Sequence, residues 1–406
     1  MRAPRQRGAR PSQPSRRLSD PPSDRSTYLI RSIAIAAGAT VASLVAVNLA
    51  VGGYVARRVI APRSSKLAVP VRIVGDTVVI PTSEDTVQPG RYGIWLSNGA
   101  HVAVGDVLHS DNGQVTRALV FRTNSAGDES TTGVWSSQYI PSPDQVGTST
   151  TVAVPLTLGD TAEAWQIRPD TAVGGRWTIH IHGLRSSRFG ALRSTPATVD
   201  AGWTSLVVSY AGDDERLPAE GRPSSLGTSE WVDVEDALLY AVSQGAKEIV
   251  LVAWSMGATI ALLALEDSSV KDRVVGLILV APAVQWSRVV TNATSAAHLP
   301  STVAAAALHV LGSPIGAKAL HLAEPVDARS LNWIDGRRGT VTLPTLILHS
   351  RYDPVVPFSG SADFVASHPE AQLVEFSTTG HCNEPNQNLE LFNHSITTWL
   401  KKLVAR

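Results

Sequence analysis

The chain has 406 residues, 43% of them hydrophobic, with 35 basic and 35 acidic side chains. A formal net charge of zero leaves no electrostatic footprint for nucleic acid. The single cysteine, Cys382, excludes an internal disulfide and a cysteine-based metal site, and nothing in the pattern calls for a cofactor or a metal.

Residues 1–27 are rich in Arg, Pro and Ser and nearly devoid of apolar side chains, the composition of a disordered basic tail. Ser32 to Val55 then runs 24 residues without a charge, bounded by Arg31 and by Arg57-Arg58. That is enough to cross a bilayer, so a transmembrane helix is expected over 28–58, touching lipid through 32–55. The run is long for the apolar core of a signal peptide, and Val55-Ala56-Arg57-Arg58 is a poor cleavage site. A linker is expected over 59–69, around Ala61-Pro62-Arg63-Ser64-Ser65. The tail carries Arg2, Arg5, Arg7, Arg10, Arg16, Arg17, Arg25 and Arg31 against Asp20 and Asp24. Arg57, Arg58, Arg63, Lys66 and Arg72 nearly balance them on the other flank. The larger total on the short tail predicts a single-pass anchor with the tail inside and the following domain extracytoplasmic.

Residues 70–144 read as a small β-rich accessory domain, from β-branched runs at Val71–Val74, Asp76–Ile80 and Gln114–Phe121 with turn residues between them. Its simplest role is packing or spacing. From 145 to 406 the pattern is α/β. A hairpin at 151–168 is followed by strands Arg176–His182, Thr204–Ser209, Glu248–Val252, Val274–Ala281, Thr345–His349 and Ala371–Phe376. Helices fall between strands, near Ser229–Gln244, after Ser255 and from about Leu389. Such alternation predicts a mostly parallel sheet with helices on both faces, with function at the strands' carboxyl ends.

At one such end stands Val252-Ala253-Trp254-Ser255-Met256-Gly257-Ala258. An apolar strand precedes it and an apolar helix follows, the context of a nucleophile elbow. Ala253 replaces the first glycine of G-x-S-x-G. Two further residues each follow a strand, Asp353 in Arg351-Tyr352-Asp353-Pro354 and His381 in Thr379-Gly380-His381. A serine hydroxyl needs a base near pH 7, and the base needs a carboxylate to fix its tautomer. Ser255, Asp353 and His381 are therefore the predicted catalytic residues, in the order Ser, Asp, His. Glu324, Asp327 and Asp335 also lie between Ser255 and His381, but no strand end precedes them. His182-Gly183 resembles the H-G motif of lipases and esterases, which implies an oxyanion hole from the backbone N–H groups of Leu184 and Met256. The His182 side chain is expected to pack beneath that loop.

From about 150 onward the chain resembles an α/β-hydrolase-fold serine hydrolase. His182-Gly183-Leu184-Arg185-Ser186-Ser187-Arg188, Ala191-Leu192-Arg193, Ser209-Tyr210, Leu226-Gly227-Thr228-Ser229-Glu230-Trp231 and Trp254-Ser255-Met256-Gly257 resemble a group of bacterial hydrolases. These are distantly similar to serine aminopeptidase and dipeptidyl-peptidase-like members. The fold class so implied is α/β, with a helical cap inserted at 284–340, the β-rich region before it and one N-terminal transmembrane helix. The resemblance implies a cap that shapes the pocket, with short helices at Ser301–Leu311 and Gly316–Ala323 flanked by Trp286 and Trp333.

His298, His309 and His321 in the insertion lack metal spacing. Cys382 lacks an elbow and reads as a small buried residue. Arg185 and Arg188 could bind an anion or pair with Glu230 and Asp233. Asp213, Asp214 and Glu215 could hold the substrate amine an aminopeptidase needs, but the simpler reading is a solvated acidic loop. The expected activity is cleavage of small-molecule carboxylic esters. The alternatives are a peptidase or aminopeptidase acting on short peptides, or a non-catalytic membrane-tethered binding protein.

Overall fold

The computed structural model describes residues 25–61, 67–123, 130–157, 159–211, 213 and 222–405, with backbone alone at 25–30 and 33–41. Most of the expected disordered tail, the linker residues 62–66, and Asp214 and Glu215 lie outside these residues.

A helix spans Arg25–Ile60, 36 residues, so 25–27 are helical and the helix outlasts its expected end at 58. Within it Ala42–Ile60 is long and apolar enough to cross a membrane, with mean hydropathy 1.3, and 22% of that window is buried. The burial is concentrated at the end. Val55, Ala56 and Ile60 are 8, 0 and 1% exposed and belong to the core on one face of the main sheet. Gly52 permits this approach, because a Cβ there would lie 2.7 Å from Ala306 Cβ on the helix Ser301–Gly312.

Six strands, β1 (Val69–Val74), β2 (Thr77–Pro81), β3 (Tyr92–Leu96), β4 (His101–Asp111), β5 (Gln114–Arg122) and β6 (Ser130–Ser136), close into a barrel of order β1-β2-β5-β4-β3-β6. Asn112 and Gly113 have φ of 47° and 74°, the left-handed pair that a two-residue hairpin requires between β4 and β5. Val71, Ile73, Val78, Ile80, Ile94, Val102 and Val115 fill the interior. The expectation of β structure holds here, and closure into a barrel is the addition. Arg117 is fully buried at one end of the barrel. Its guanidinium donates to the carbonyls of Thr86, Gln88, Gly90 and Gly105, so the charge is hydrogen-bonded throughout and fixes the loop between β2 and β3.

The second sheet has eight strands: β7 (Thr148–Pro155), β8 (Thr161–Arg168), β9 (Arg176–Ile181), β10 (Thr204–Val208), β11 (Glu248–Trp254), β12 (Val274–Val280), β13 (Thr345–Tyr352) and β14 (Ala371–Thr379). Their order is β14-β13-β12-β11-β9-β10-β8-β7. The strands from β9 onward pair parallel, whereas β7 and β8 pair antiparallel at one edge. Strands β9 to β13 are buried on both faces, which explains their unbroken apolar runs. Helices Trp231–Ser243 and Met256–Asp267 contribute to the core on one face, and Leu389–Leu403 to the core on the other. This is the α/β-hydrolase fold the sequence implied.

The insertion holds helices Trp286–Ala296, Ser301–Gly312 and Pro314–Ala319. The first of these was not foreseen. Its Asn292 side chain donates to the carbonyls of Pro354 and Val355.

Candidate active site

Ser255 sits between β11 and the helix Met256–Asp267 with φ 51° and ψ −115°. A non-glycine residue held there costs about 1–3 kcal/mol, and it persists because both sides pin it. The Ser255 N–H donates to Val280 O at 2.9 Å, and Ser255 O accepts from Ala258 and Ala283. Small neighbours are a steric requirement. A Cβ on Gly257 would lie 2.6 Å from Ile181 O, and one on Gly183 would lie 3.0 Å from Ser255 Cβ.

The three residues expected to act together are brought together. Ser255 Oγ lies 2.8 Å from His381 Nε2, and His381 Nδ1 lies 2.6 Å from Asp353 Oδ2. Strand β13 continues to Tyr352, past its expected end at His349, so Asp353 follows the strand directly. The other carboxylate oxygen accepts the N–H groups of Val355 and Val356 at 2.8 and 3.0 Å. Burial alone would raise the Asp353 carboxyl, but the His381 charge and hydrogen bonds from His349 and His381 hold it well below the usual carboxylate range.

The His381 side chain is 21% exposed. Burial lowers its imidazole, while a Cys382 thiolate and the Asp353 carboxylate carry the net effect well above the ordinary histidine value. Burial also pushes the Cys382 thiol up, and the Asp353 carboxylate raises His381 alongside it. Cys382 is half-buried rather than buried, and its sulfur lies 3.4 Å from His381 Nε2.

Leu184 and Met256 both stand beside Ser255. Met256 opens its helix, so its N–H has no acceptor within that helix. Gly183 and Leu184 line the same cleft as Ser255 and His381. His182 is buried, stacks on Tyr210 at 3.9 Å, and places Nδ1 2.9 Å from Gly183 O. Its Nε2 lies 3.3 Å from Asp213 Oδ2 without hydrogen-bond alignment.

Several surrounding residues depart from expectation. Asp213 is fully buried, not part of a solvated loop, because its carboxylate sits against His182 and accepts from Arg188 N–H. Arg188 pairs with Glu163 at 2.9 Å and lies over the Trp165 ring, not with Glu230 or Asp233. Arg185 turns to the N-terminal helix, donating to the carbonyls of Arg58, Val59 and Ala61. Glu230 is occupied by Ser224, Ser225 and Gly227, and Asp233 accepts from Ala211 N–H. His298, His309 and His321 are exposed, and no metal-holding group of His, Cys, Asp or Glu exists among the described residues.

The cleft over Ser255 has a volume of about 220 Å³. Ser136, Ser137 and Gln138, at the end of β6, form one wall, and Ser186, Arg193 and Trp254 form others. No residue of the insertion 284–340 lines it, so the β-rich region, not the expected cap, shapes this cleft. The barrel is fastened there. Arg91 N–H donates to Asn386 O at 2.7 Å, and Asn386 Nδ2 donates to the carbonyls of Arg91 and Ser137. Asn386 Oδ1 accepts from Arg193, which is buried over the Trp254 ring and also donates to Cys382 O. Sequence reasoning missed this wall because no local pattern pairs the end of β6 with a loop 250 residues later.

Residues 225–391 match the family model described as Serine hydrolase, and residues 70–136 match one described as Domain of unknown function (DUF8805). No curated protein matches the sequence. Among solved structures the chain is similar to an esterase from Pyrococcus furiosus, at 15% identity and TM-score 0.48, over 64% of this chain and 94% of that one. It is similar to Est1E from Butyrivibrio proteoclasticus at 16% identity and TM-score 0.46, over 63% of this chain and 99% of that one. It is also similar to EstE1, a carboxylesterase cloned from a metagenomic library, at 17% identity and TM-score 0.46, over 64% and 90%. Ser255, Asp353 and His381 all fall inside the region 225–391 that matches the Serine hydrolase model, and the chain has the α/β-hydrolase fold.

Proposed function

We propose that the protein hydrolyses carboxylic esters through an acyl-enzyme, with Ser255 as nucleophile, His381 as base and acid, and Asp353 as the carboxylate that orients His381. The observation that carries this is the continuous line from Ser255 Oγ to His381 at 2.8 Å and from His381 to Asp353 at 2.6 Å. His381 Nε2 takes the serine proton as Oγ attacks the ester carbonyl. The oxyanion is held by the N–H groups of Leu184 and Met256, and the helix dipole behind Met256 favours that charge. His381 then protonates the departing alkoxide. Water repeats the sequence, releasing the acid and freeing Ser255. Esters are favoured over amino-terminal peptide substrates because no described carboxylate lines the cleft to hold an amine.

We further infer a membrane anchor at the N-terminus, with the tail inside and the domain outside. Since Val55 and Ala56 belong to the core, the crossing segment is Ser32 to Val51, which at 20 residues suffices for a bilayer. External protease should then reach the domain in intact spheroplasts, and full protection until lysis would reverse the orientation.

The activity test is full-length protein in detergent with p-nitrophenyl acetate and a fluorophosphonate probe. Wild type should turn over and label, and Ser255→Ala should do neither, losing several orders of magnitude in kcat. A wild type that neither turns over nor labels would leave a binding protein on this fold.

A further inference from the structure

The helix Arg25–Ile60 ends against the oxyanion loop, and we propose that this end is a working part of the active site. Arg185 is the positioning residue, joining the helix terminus to the Leu184 N–H. The inference rests on the reading of Leu184 and Met256 as oxyanion donors.

Four observations converge. First, Arg185 has φ 60°, a left-handed conformation unusual for arginine, immediately after Leu184. Second, its guanidinium donates to the carbonyls of Arg58, Val59 and Ala61. The last carbonyls of a helix lack partners within it, and a cation is favoured at that end. Third, Ile60 O accepts from Ser224 N–H at 3.0 Å, and Ser224 Oγ lies 3.2 Å from Met256 Sδ. Fourth, Ile60, Leu184, Arg185, Ser224 and Met256 line one small hollow. The helix end is therefore one residue removed from each of the two assigned to the hole, reaching Leu184 through its chain neighbour Arg185 and Met256 through Ser224.

The sequence of cause is short. Gly52 lets the helix lie close to Ala306 and Ala307, and burial of Val55, Ala56 and Ile60 holds it there. With the terminus fixed, its carbonyls fix Arg185, and the anchored turn at Arg185 steadies the short loop that carries the Leu184 N–H. An oxyanion donor acts only when aimed in advance at the developing charge, so small displacements cost rate rather than binding.

Full-length protein in detergent tests this with p-nitrophenyl acetate. Arg185→Ala removes the clasp. Gly52→Val pushes the helix away from the cap without touching the site. Tyr54→Ala, on the exposed face of the same helix, is the control. Arg185→Ala and Gly52→Val should each lower kcat about tenfold or more, with KM within about twofold and slower fluorophosphonate labelling. Arg185→Lys should fall between wild type and alanine, since one ammonium can hold only part of the carbonyl set. Tyr54→Ala should match wild type. Wild-type kcat in both Arg185→Ala and Gly52→Val, or a change in KM alone, would overturn the proposal. Should Arg185→Ala not fold, Arg185→Lys and Gly52→Val decide it on the same readout. A wild type that neither labels nor turns over would instead remove the hydrolytic reading itself.

Discussion

His349 Nε2 lies 3.2 Å from Asp353 Oδ2, the same oxygen that lies 2.6 Å from His381 Nδ1. One carboxylate oxygen thus faces two imidazoles. His349 is fully buried, and its Nδ1 meets Ser361 Oγ at 2.7 Å. A neutral imidazole fits if the Ser361 hydroxyl donates to Nδ1 and Nε2–H donates to Asp353.

Replacing His349 by Phe should keep the volume and remove both bonds. Ser361 and Asp353 would each lose a buried partner, so a loss of about 1–3 kcal/mol is expected in urea denaturation. Asp353 would be less firmly oriented, and kcat should fall about tenfold while Ser255 remains reactive to fluorophosphonate. Unchanged stability and unchanged kcat would show that His349 is a spectator.

The pH profile follows from the direction of the His381 shift. The base must be neutral to accept the Ser255 proton, so activity rises with pH as His381 loses its proton. Because its value is raised well above 6.5, the acid limb of kcat/KM should fall above that of an ordinary histidine. Asp353→Asn removes the carboxylate that raises it. The limb should then move to lower pH while kcat drops by about four orders of magnitude, through the wrong tautomer. A limb that stays in place would assign the pH dependence to another group.

Asn386 joins barrel and hydrolase, with its amide spent on Arg91 O, Ser137 O and Arg193. Asn386→Ala would orphan those buried groups, at about 1–3 kcal/mol for each that water cannot reach. Thermal unfolding should shift downward, and KM should rise because Ser136–Gln138 form a cleft wall. A normal KM would show that the wall makes no contact with substrate.

The legible parts of this chain were those encoded by local repetition. The apolar runs of β9, β11, β12 and β13 announced buried parallel strands, and the strand–serine–helix junction at Ser255 announced the elbow. Ser255 and Asp353 each stand just after such a strand and His381 just after the edge strand β14, so the sequence could single out three side chains that lie within hydrogen-bond reach of one another. The illegible parts depend on packing between distant segments. Asp213 looked solvated beside Asp214 and Glu215, yet it is buried against His182. Arg185 had Glu230 and Asp233 as acidic candidates at a later helix, yet its partners are carbonyls more than 120 residues earlier. His349 read as the end of a strand, because nothing local distinguishes an inward histidine beside a carboxylate from one packed in apolar surroundings. The helix over 28–58 was predicted from its lack of charge, and absence of charge suits lipid and protein core equally.

Closure of the barrel also bears on how neighbouring copies meet. A strand with unpaired N–H and C=O groups invites another chain to add to it, and proteins confined to a surface encounter one another often. Strands β1 to β6 are each paired on both sides, so they present no such template. The eight-stranded sheet leaves only β7 and β14 at its edges. β7 ends in Pro155, which lacks an N–H to donate, and β14 carries Glu375 on its run. Pairing between copies through unpaired strand edges is therefore confined to β7 and β14 among these fourteen strands.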